Sequence, residues 1–344
     1  MSGTIPLKMK QVQVVKPIND FRKATKIVEV SVPTPGARNV LVKMRYLMLN
    51  ASDLLFVAGT FCPLKPTPYA AGIEGLGEIV KTGTSSVHKV GQAVAVQHYH
   101  CFSEYAVVPD DSVIPIPSCD NPEFGALYVC GSTAYGVFDK KYKLKKTDVV
   151  IVTAAAGATG HIAVQLAKEA GCHVIGTCSS EEKVNFLKSI GCDRPINCNT
   201  ESVDSVLKKE YPRGFDVAFE CVGNKMPDIC LQNVASLGRI ICVGSVDVYG
   251  KKNHIMNQTC SLPISMTLTM KSADLLTLFM PNFKEDIPAY FKKLTDLMES
   301  GKLKIAIDKG EKAVNGPFRG IEKVFDAMDY LFSRKSIGKI CVEL

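Results

Sequence analysis

The chain has 344 residues, 46% of them hydrophobic and 22% charged, with a net charge of +7. Those proportions suit a globular protein long enough for two domains. No apolar run approaches the ~20 residues of a membrane span and no signal-peptide core opens the chain, so a cytoplasmic location is expected. The basic residues are dispersed, and their densest run is Lys140-Lys141-Tyr142-Lys143-Leu144-Lys145-Lys146. A nucleic-acid reader needs a basic stripe interleaved with aromatics, so nucleic acid is not an expected partner; a modest positive excess suits an anionic cofactor. The thirteen cysteines are scattered, odd in number and form no C-x-x-C, which fits reduced thiols used as small buried hydrophobes.

In chain order, residues 1–124 read as β-rich. Short apolar runs at Val12–Val15, Val28–Val32, Val40–Tyr46, Gly77–Thr82, Ala93–Gln97 and Tyr105–Pro109 are punctuated by prolines, a spacing that predicts a compact, partly open barrel. From about residue 125 strands and helices alternate. Strands are expected at Val149–Thr153, His173–Thr177, Phe215–Glu220, Arg239–Val243 and Leu275–Met280, with helices at Ile162–Ala170, Glu181–Ile190, Val203–Glu210 and Pro227–Ser236. Such alternation builds a parallel sheet covered on both faces. Two amphipathic helices follow, one carrying Ile287, Tyr290, Phe291, Leu294, Leu297 and Met298, the other Ile321, Val324, Phe325, Met328, Leu331 and Phe332. The strand Lys339–Glu343 has no partner in the alternating region. Residues 310–344 are therefore assigned to the first domain, and residues 125–309 become an insertion in it.

The run Val149–Thr153, then Ala154-Ala155-Ala156-Gly157-Ala158-Thr159-Gly160, then His161–Lys168 reads as strand, tight turn, helix. This is the entry to a dinucleotide-binding unit with a relaxed glycine pattern. Ala155 stands where the first Gly of G-x-G-x-x-G falls, Gly157 lets backbone approach a pyrophosphate, and Gly160 lets the helix pack on the strand. The helix N-terminus offers N–H groups and partial positive charge to phosphates. The second strand ends in Cys178-Ser179-Ser180-Glu181-Glu182-Lys183. Hydroxyls and an ammonium suit the 2′-phosphate of NADP, whereas NAD enzymes place a carboxylate at that tip. Ser180 also suits an N-cap, with Glu181 and Glu182 in the first turn; both roles are compatible.

These segments, with Asn50-Ala51-Ser52-Asp53, Gly72-Ile73-Glu74-Gly75-Leu76-Gly77, Ile240–Gly244, Gly191–Asn197 and Gly338-Lys339-Ile340, resemble the medium-chain dehydrogenase/reductase superfamily over essentially the whole chain. The resemblance is to its zinc-independent branch, beside the quinone oxidoreductases. It implies an α/β fold in which a Rossmann NADP-binding domain (125–309) is inserted into a GroES-like β-rich catalytic domain (1–124 and 310–344). It also implies that Thr159 contacts the pyrophosphate, that Leu278, Phe279 and Met280 flank the nicotinamide, and that Cys221 and Val243 end strands beneath the cofactor. Tyr249 matches a tyrosine kept near the nicotinamide ribose and substrate carbonyl, and Asn50 offers a second polar group there or caps the Ser52/Asp53 turn. Relatives often carry Tyr at the position of Cys198, beside the 2′-phosphate, and Asn at that of Ser336; Arg194 is expected to compensate for the first. A strand at Ser265–Met270 would pair across a homodimer.

Zinc-dependent members of the superfamily place a Cys ligand where Asn50 stands and a His ligand where Ile73 stands. Isoleucine cannot ligate and an amide ligates poorly, so no metal is expected; His98, His100 and Cys101 match no closed zinc spacing. Without a Lewis acid, the accessible chemistry is reduction of a carbon–carbon double bond conjugated to a carbonyl. Hydride adds to the β-carbon, and hydrogen-bond donors stabilise the enolate. The resemblance implies 15-keto-prostaglandin-like enones as substrates. The rivals are a quinone oxidoreductase and, from another class, a non-catalytic, crystallin-like NADPH-binding protein. Loops at 47–70 and 249–275 are expected to shape the substrate pocket.

Overall fold

The computed structural model describes residues 4–60, 66–249 and 264–344. Residues 61–65 and 250–263, parts of the two loops expected to shape the pocket, lie outside the described residues. The chain divides into two compact units, Met1–Val129 with Ile307–Leu344, and Cys130–Ala306.

The first unit opens with β1 (Lys8–Val14), the short helix α1 (Phe21–Ala24) and β2 (Thr25–Ser31), which returns antiparallel on β1. The long strand β3 (Asn39–Met48), the helix α2 (Ser52–Val57), β4 (Tyr69–Ala70) and β5 (Glu74–Thr82) follow. After them come β6 (Ala93–Gln97), β7 (Tyr105–Pro109) and β8 (Val113–Pro115). β3 pairs antiparallel with both β5 and β7. The pairing with β5 carries register shifts between Leu41 and Val42 and between Met44 and Tyr46, irregularities of the kind that bend a sheet toward closure. Val40, Val42, Leu47, Ile79, Val94 and Val96 are fully buried on one face, and Leu76 is fully buried on the other.

The second unit runs α3 (Ser132–Lys140), β9 (Val149–Val152), α4 (Gly160–Glu169), β10 (His173–Cys178), α5 (Glu181–Ser189), β11 (Arg194–Asn197) and α6 (Val203–Glu210). It continues through β12 (Phe215–Glu220), α7 (Met226–Asn233), β13 (Val234–Cys242), α8 (Ile264–Lys271), β14 (Asp274–Thr277) and α9 (Ile287–Glu299). Among the described residues its sheet has six parallel strands in the order β11-β10-β9-β12-β13-β14. The order reverses between β9 and β12, the topological switch point where open α/β sheets bind ligands. Ile151, Ile175, Ile196, Leu207, Phe215, Ala218 and Ile240 form the buried core on one face.

Four expectations are corrected. Arg194–Asn197 is a strand that periodicity missed, because it is short and contains Pro195; proline lacks a ladder donor and is tolerated at a sheet edge, where β11 lies. Residues 234–236 belong to β13, so the helix expected to Ser236 stops at Asn233. The last parallel strand covers Asp274–Thr277 and not Leu275–Met280; Met280 and Pro281 start a 3-10 turn. The strand expected at Ser265–Met270, with its homodimer pairing, is the helix α8, whose Ile264 and Leu268 pack on the core one turn apart.

The chain then re-enters the first unit through β15 (Ile307–Asp308), α10 (Val324–Phe332) and β16 (Lys339–Glu343). β16 pairs antiparallel with the end of β3, Cys341 opposite Met48 and Glu343 opposite Tyr46, and parallel with β15.

Candidate functional site

The turn between β9 and α4 is set by sterics. Ala154 takes a left-handed φ of +48°, and a Cβ at Gly160 would sit 2.4 Å from the Ala154 carbonyl oxygen, so Gly160 is demanded by the turn itself. Gly157 is less constrained, with its added Cβ at 3.2 Å from the same oxygen. Buried Ala155 donates its N–H to the Thr177 carbonyl at 2.9 Å, and the Ala154 N–H reaches Thr177 Oγ1 at 3.2 Å. These bonds lash the turn to β10. Thr159, the residue preceding α4, makes no side-chain capping bond, so the positive pole of this ten-residue helix is left for another acceptor.

At the tip of β10 the cap is different. Ser180 Oγ accepts the Lys183 N–H at 3.3 Å, as its N-cap reading requires. Asn199 Nδ2 donates to the Ser179 carbonyl at 2.7 Å, Asn197 Nδ2 holds Glu181 Oε1 at 2.7 Å, and the Cys198 N–H reaches the Cys178 carbonyl at 2.8 Å. Ser179, Ser180, Lys183 and Cys198 are thus gathered at the ends of β10 and β11, with Lys183 buried and Cys198 exposed. Arg194 does not fill the expected compensating role. Its guanidinium pairs with Glu201 at 2.6 Å and Glu210 at 2.8 Å, and these carboxylates raise its pKa further.

Cys221, Val243, Leu278 and Tyr249 follow the ends of β12, β13 and β14. The Val243 N–H reaches the Glu220 carbonyl at 2.8 Å, and the Leu278 N–H the Cys242 carbonyl at 3.3 Å. Leu278 and Met280 are buried, whereas Phe279 is 50% exposed. Half-buried Tyr249 accepts the Ser245 N–H at its hydroxyl oxygen, 3.2 Å away. Burial pushes the phenol above its ordinary pKa of 10, so at neutral pH it carries a proton. Because Ser245 uses the oxygen's acceptor capacity, the O–H remains a donor.

Beneath these turns lies a group that sequence reading missed. Glu220, 1% exposed at the end of β12, accepts the N–H groups of Val222 (2.7 Å) and Gly223 (3.0 Å) and approaches the Thr153 hydroxyl at 3.3 Å. His161 and Gln165 of α4 were likewise read only as helix positions. His161 Nδ1 faces the Gly157 carbonyl at 2.9 Å while Nε2 receives the Ala306 N–H at 3.3 Å. Burial lowers its pKa to about 4. Gln165 makes two bonds to the Lys304 backbone, both 2.8 Å.

In the first unit, Asn50 is not a simple turn cap. Its backbone N–H donates to Asp53 Oδ2 at 2.8 Å, but its side-chain amide donates to Glu74 Oε2 at 3.0 Å and accepts from Lys339 Nζ at 2.6 Å. Lys339 and Glu74, each 0% exposed, are 2.5 Å apart, and Glu74 Oε1 takes the Val129 N–H at 2.8 Å. Burial raises the neighbouring Asp53 to about 7. A Glu opening β5 and a Lys opening β16, each leading an apolar run, were the available signal. Cys101 donates to the His98 carbonyl at 2.9 Å and His98 Nδ1 faces the Tyr99 carbonyl. Among the described residues no group of three His, Cys, Asp or Glu is placed to hold a metal. Ser336 is half-buried in the segment between α10 and β16.

The Ala154–Gly160 turn, the hydroxyl-rich tip and the Tyr249 turn thus all follow the carboxyl ends of one parallel sheet. Comparison with known proteins agrees with that architecture. Residues 36–154 match the alcohol dehydrogenase GroES-like domain and residues 158–300 the zinc-binding dehydrogenase family. Prostaglandin reductase-3 of Bos taurus is 43% identical, covering 99% of this chain and 91% of that protein. The NADP(+)-dependent 2-alkenal reductase of Nicotiana tabacum is 29% identical, covering 91% and 89%. Escherichia coli quinone oxidoreductase complexed with NADPH shares the fold at a TM-score of 0.82 and 20% identity, over 97% of this chain and 100% of that one. A GroES-like domain, a Rossmann domain and an end-to-end likeness of 43% place this chain in the medium-chain dehydrogenase/reductase superfamily of oxidoreductases.

Proposed function

We propose that this chain reduces the carbon–carbon double bond of α,β-unsaturated ketones with NADPH, without zinc, and that 15-keto-prostaglandin-like enones are its substrate class. The observation that carries the proposal is the Tyr249 hydroxyl, protonated and fixed by Ser245 so that its own O–H is a donor. NADPH, when bound, supplies the hydride. The chain's residues do the rest. The turn at Ala155, Gly157, Thr159 and Gly160, with the uncapped start of α4, takes the pyrophosphate, while Ser179, Ser180 and Lys183 take the 2′-phosphate, with Cys198 at the rim. Cys221, Val243, Leu278, Phe279 and Met280 bound the nicotinamide. Tyr249 donates to the carbonyl oxygen as negative charge develops there. In the first unit both ends of the Asn50 amide are held within its own buried cluster, the nitrogen by Glu74 and the oxygen by Lys339.

Residue types support the zinc-free reading. Ile73 carries no donor atom, and the Asn50 amide is engaged by Glu74 and Lys339. The named activities of prostaglandin reductase-3 and 2-alkenal reductase favour enones. Quinone reduction is the second reading, supported by the shared fold of quinone oxidoreductase and by the same need for a donor at an incipient oxyanion. Turnover of an enone and quinone panel separates them: faster NADPH oxidation with enones supports the proposal, and quinone-only turnover selects the second reading. NADPH binding with no turnover of either class selects a non-catalytic role. Tyr249→Phe is expected to lower kcat for enones about tenfold while NADPH affinity is preserved. A raised KM for NADPH with unchanged kcat would assign the tyrosine to the ribose instead.

A further inference from the structure

We propose that Glu220 is a positioning residue for the Tyr249 hydroxyl, acting through the backbone of the two turns between them. This rests on the reading of Tyr249 as the enolate donor.

Glu220 ends β12, next to β9 at the switch point of the sheet. Its carboxylate turns back on its own strand and gathers the Val222 and Gly223 N–H groups on one oxygen. Thr153, directly after β9, closes the clasp from the other side. Its Oγ1 accepts the Cys221 N–H at 2.8 Å and lies 3.3 Å from the same Glu220 oxygen. The turn 221–223 is therefore held from below by two side chains, and Gly223 takes the left-handed φ of +71° this requires.

That turn is the template for the next one. The Glu220, Cys221 and Val222 carbonyls accept in succession the N–H groups of Val243 (2.8 Å), Val246 (3.0 Å) and Asp247 (2.9 Å). A Cβ on Gly223 would lie 2.9 Å from Ser245 Cβ, so the two turns are in direct contact at the residue whose N–H holds Tyr249. The Val248 N–H returns to the Ser245 carbonyl at 3.0 Å and closes the loop that carries the tyrosine. An unbroken series of short bonds runs from the carboxylate, through 221–223 and 245–247, to the phenol oxygen.

A buried carboxylate is an expensive way to hold two amides. Burial raises the Glu220 pKa against the three groups that bond it. A clasp needed only for folding has cheaper solutions; one that sets a catalytic hydroxyl gains from a short side chain rigidly bonded at several points.

The test is a set of kinetic cycles with an enone substrate and a separate fluorescence titration of NADPH. Glu220→Ala is expected to lower kcat about tenfold with the Kd for NADPH within about twofold of wild type. Glu220→Gln, which keeps an acceptor oxygen for both N–H groups, should recover most of that loss. In a Tyr249→Phe background Glu220→Ala should lower kcat by no more than about twofold, because the hydroxyl it positions is gone. Thr153→Val provides the same cycle with a milder change, and its several-fold loss should vanish in the same background. Full additivity of either variant with Tyr249→Phe overturns the proposal, as does a lower melting temperature with undiminished kcat in both. Wild-type kcat for Tyr249→Phe alone is a different result: it removes the tyrosine reading, and the proposal with it.

Discussion

The two units bury polar groups in opposite ways. The first places a full ion pair, Glu74 and Lys339, in its core with Asn50 between them and Asp53 beside them. The second keeps its buried imidazole neutral and ties Glu220, His161 and Gln165 mainly to backbone groups of loops. In the first unit the two charges of the buried pair depend on each other across a long stretch of sequence. In the second, buried side chains organise the turns that follow the strands. One arrangement fixes a core, the other a site, and perturbing them should have unlike consequences.

The largest effect is expected from Lys339→Met. Leaving Glu74 buried without its cation should destabilise the protein by ~3–5 kcal/mol, read as a shift in the urea midpoint. Gln165→Leu, which removes two bonds to Lys304 in the second unit, should cost only ~1–3 kcal/mol. Equal losses would erase the contrast.

The next effect is a pH response of opposite sign. Asp53 is raised from 3.8 to about 7, so its contribution is fully present below pH 3.8 and is lost as pH rises toward 7. His161 is lowered from 6.5 to about 4, so its contribution is present above pH 6.5 and is lost as pH falls toward 4. Between those limits the two oppose each other. Denaturation of Asp53→Asn and His161→Gln at pH 5 and pH 7 should give stability slopes that diverge from wild type in opposite directions. Parallel slopes would mean that neither group titrates as its burial demands.

Smaller and confined to ligand binding is Lys183→Ala. It should raise the KM for NADPH about tenfold, as expected for a charge-assisted bond worth ~1.5–3 kcal/mol, with NADH kinetics nearly unchanged. Equal loss with both cofactors would move Lys183 away from the 2′-phosphate. At the bottom of the scale, chelator treatment should change neither kcat nor Tm. One zinc per chain on which activity depends would contradict the argument from Ile73 and return His98, His100 and Cys101 to consideration.

What could be read from sequence follows the range of the interactions. β6, β7, β12, β16 and α6 are bounded as expected, because local alternation, capping serines and breakers decide them. The turn between β9 and α4 was legible for the same reason: Ala154 to Gly160 is a local steric problem. β11 was hidden by Pro195, and α8 by a run in which β-branched and helix-forming residues mix. The Asn50–Lys339 bond joins residues 289 apart, and the Thr153–Glu220 contact joins residues 67 apart. No periodicity encodes such pairs, so buried charges were visible only as polar residues in apolar strands. Arg194 was misread because Glu210, 16 residues on, is its neighbour only once α6 has formed.

The pairing of β16 with β3 has a consequence for the order in which the protein is made. Glu74 and its partner Lys339 are 265 residues apart, and the entire second unit is translated between them. At ~5–20 residues per second that interval lasts on the order of 10–50 s. Throughout it the first sheet has its carboxylate but neither its cation nor the strand that covers Leu47 and Met48. The inserted unit, whose six strands are all in hand by residue 277, can close its own sheet during that wait. A nascent chain should therefore acquire protease resistance in its middle before it does so at its beginning, and the ribosome must release β16 before the earliest strands become secure.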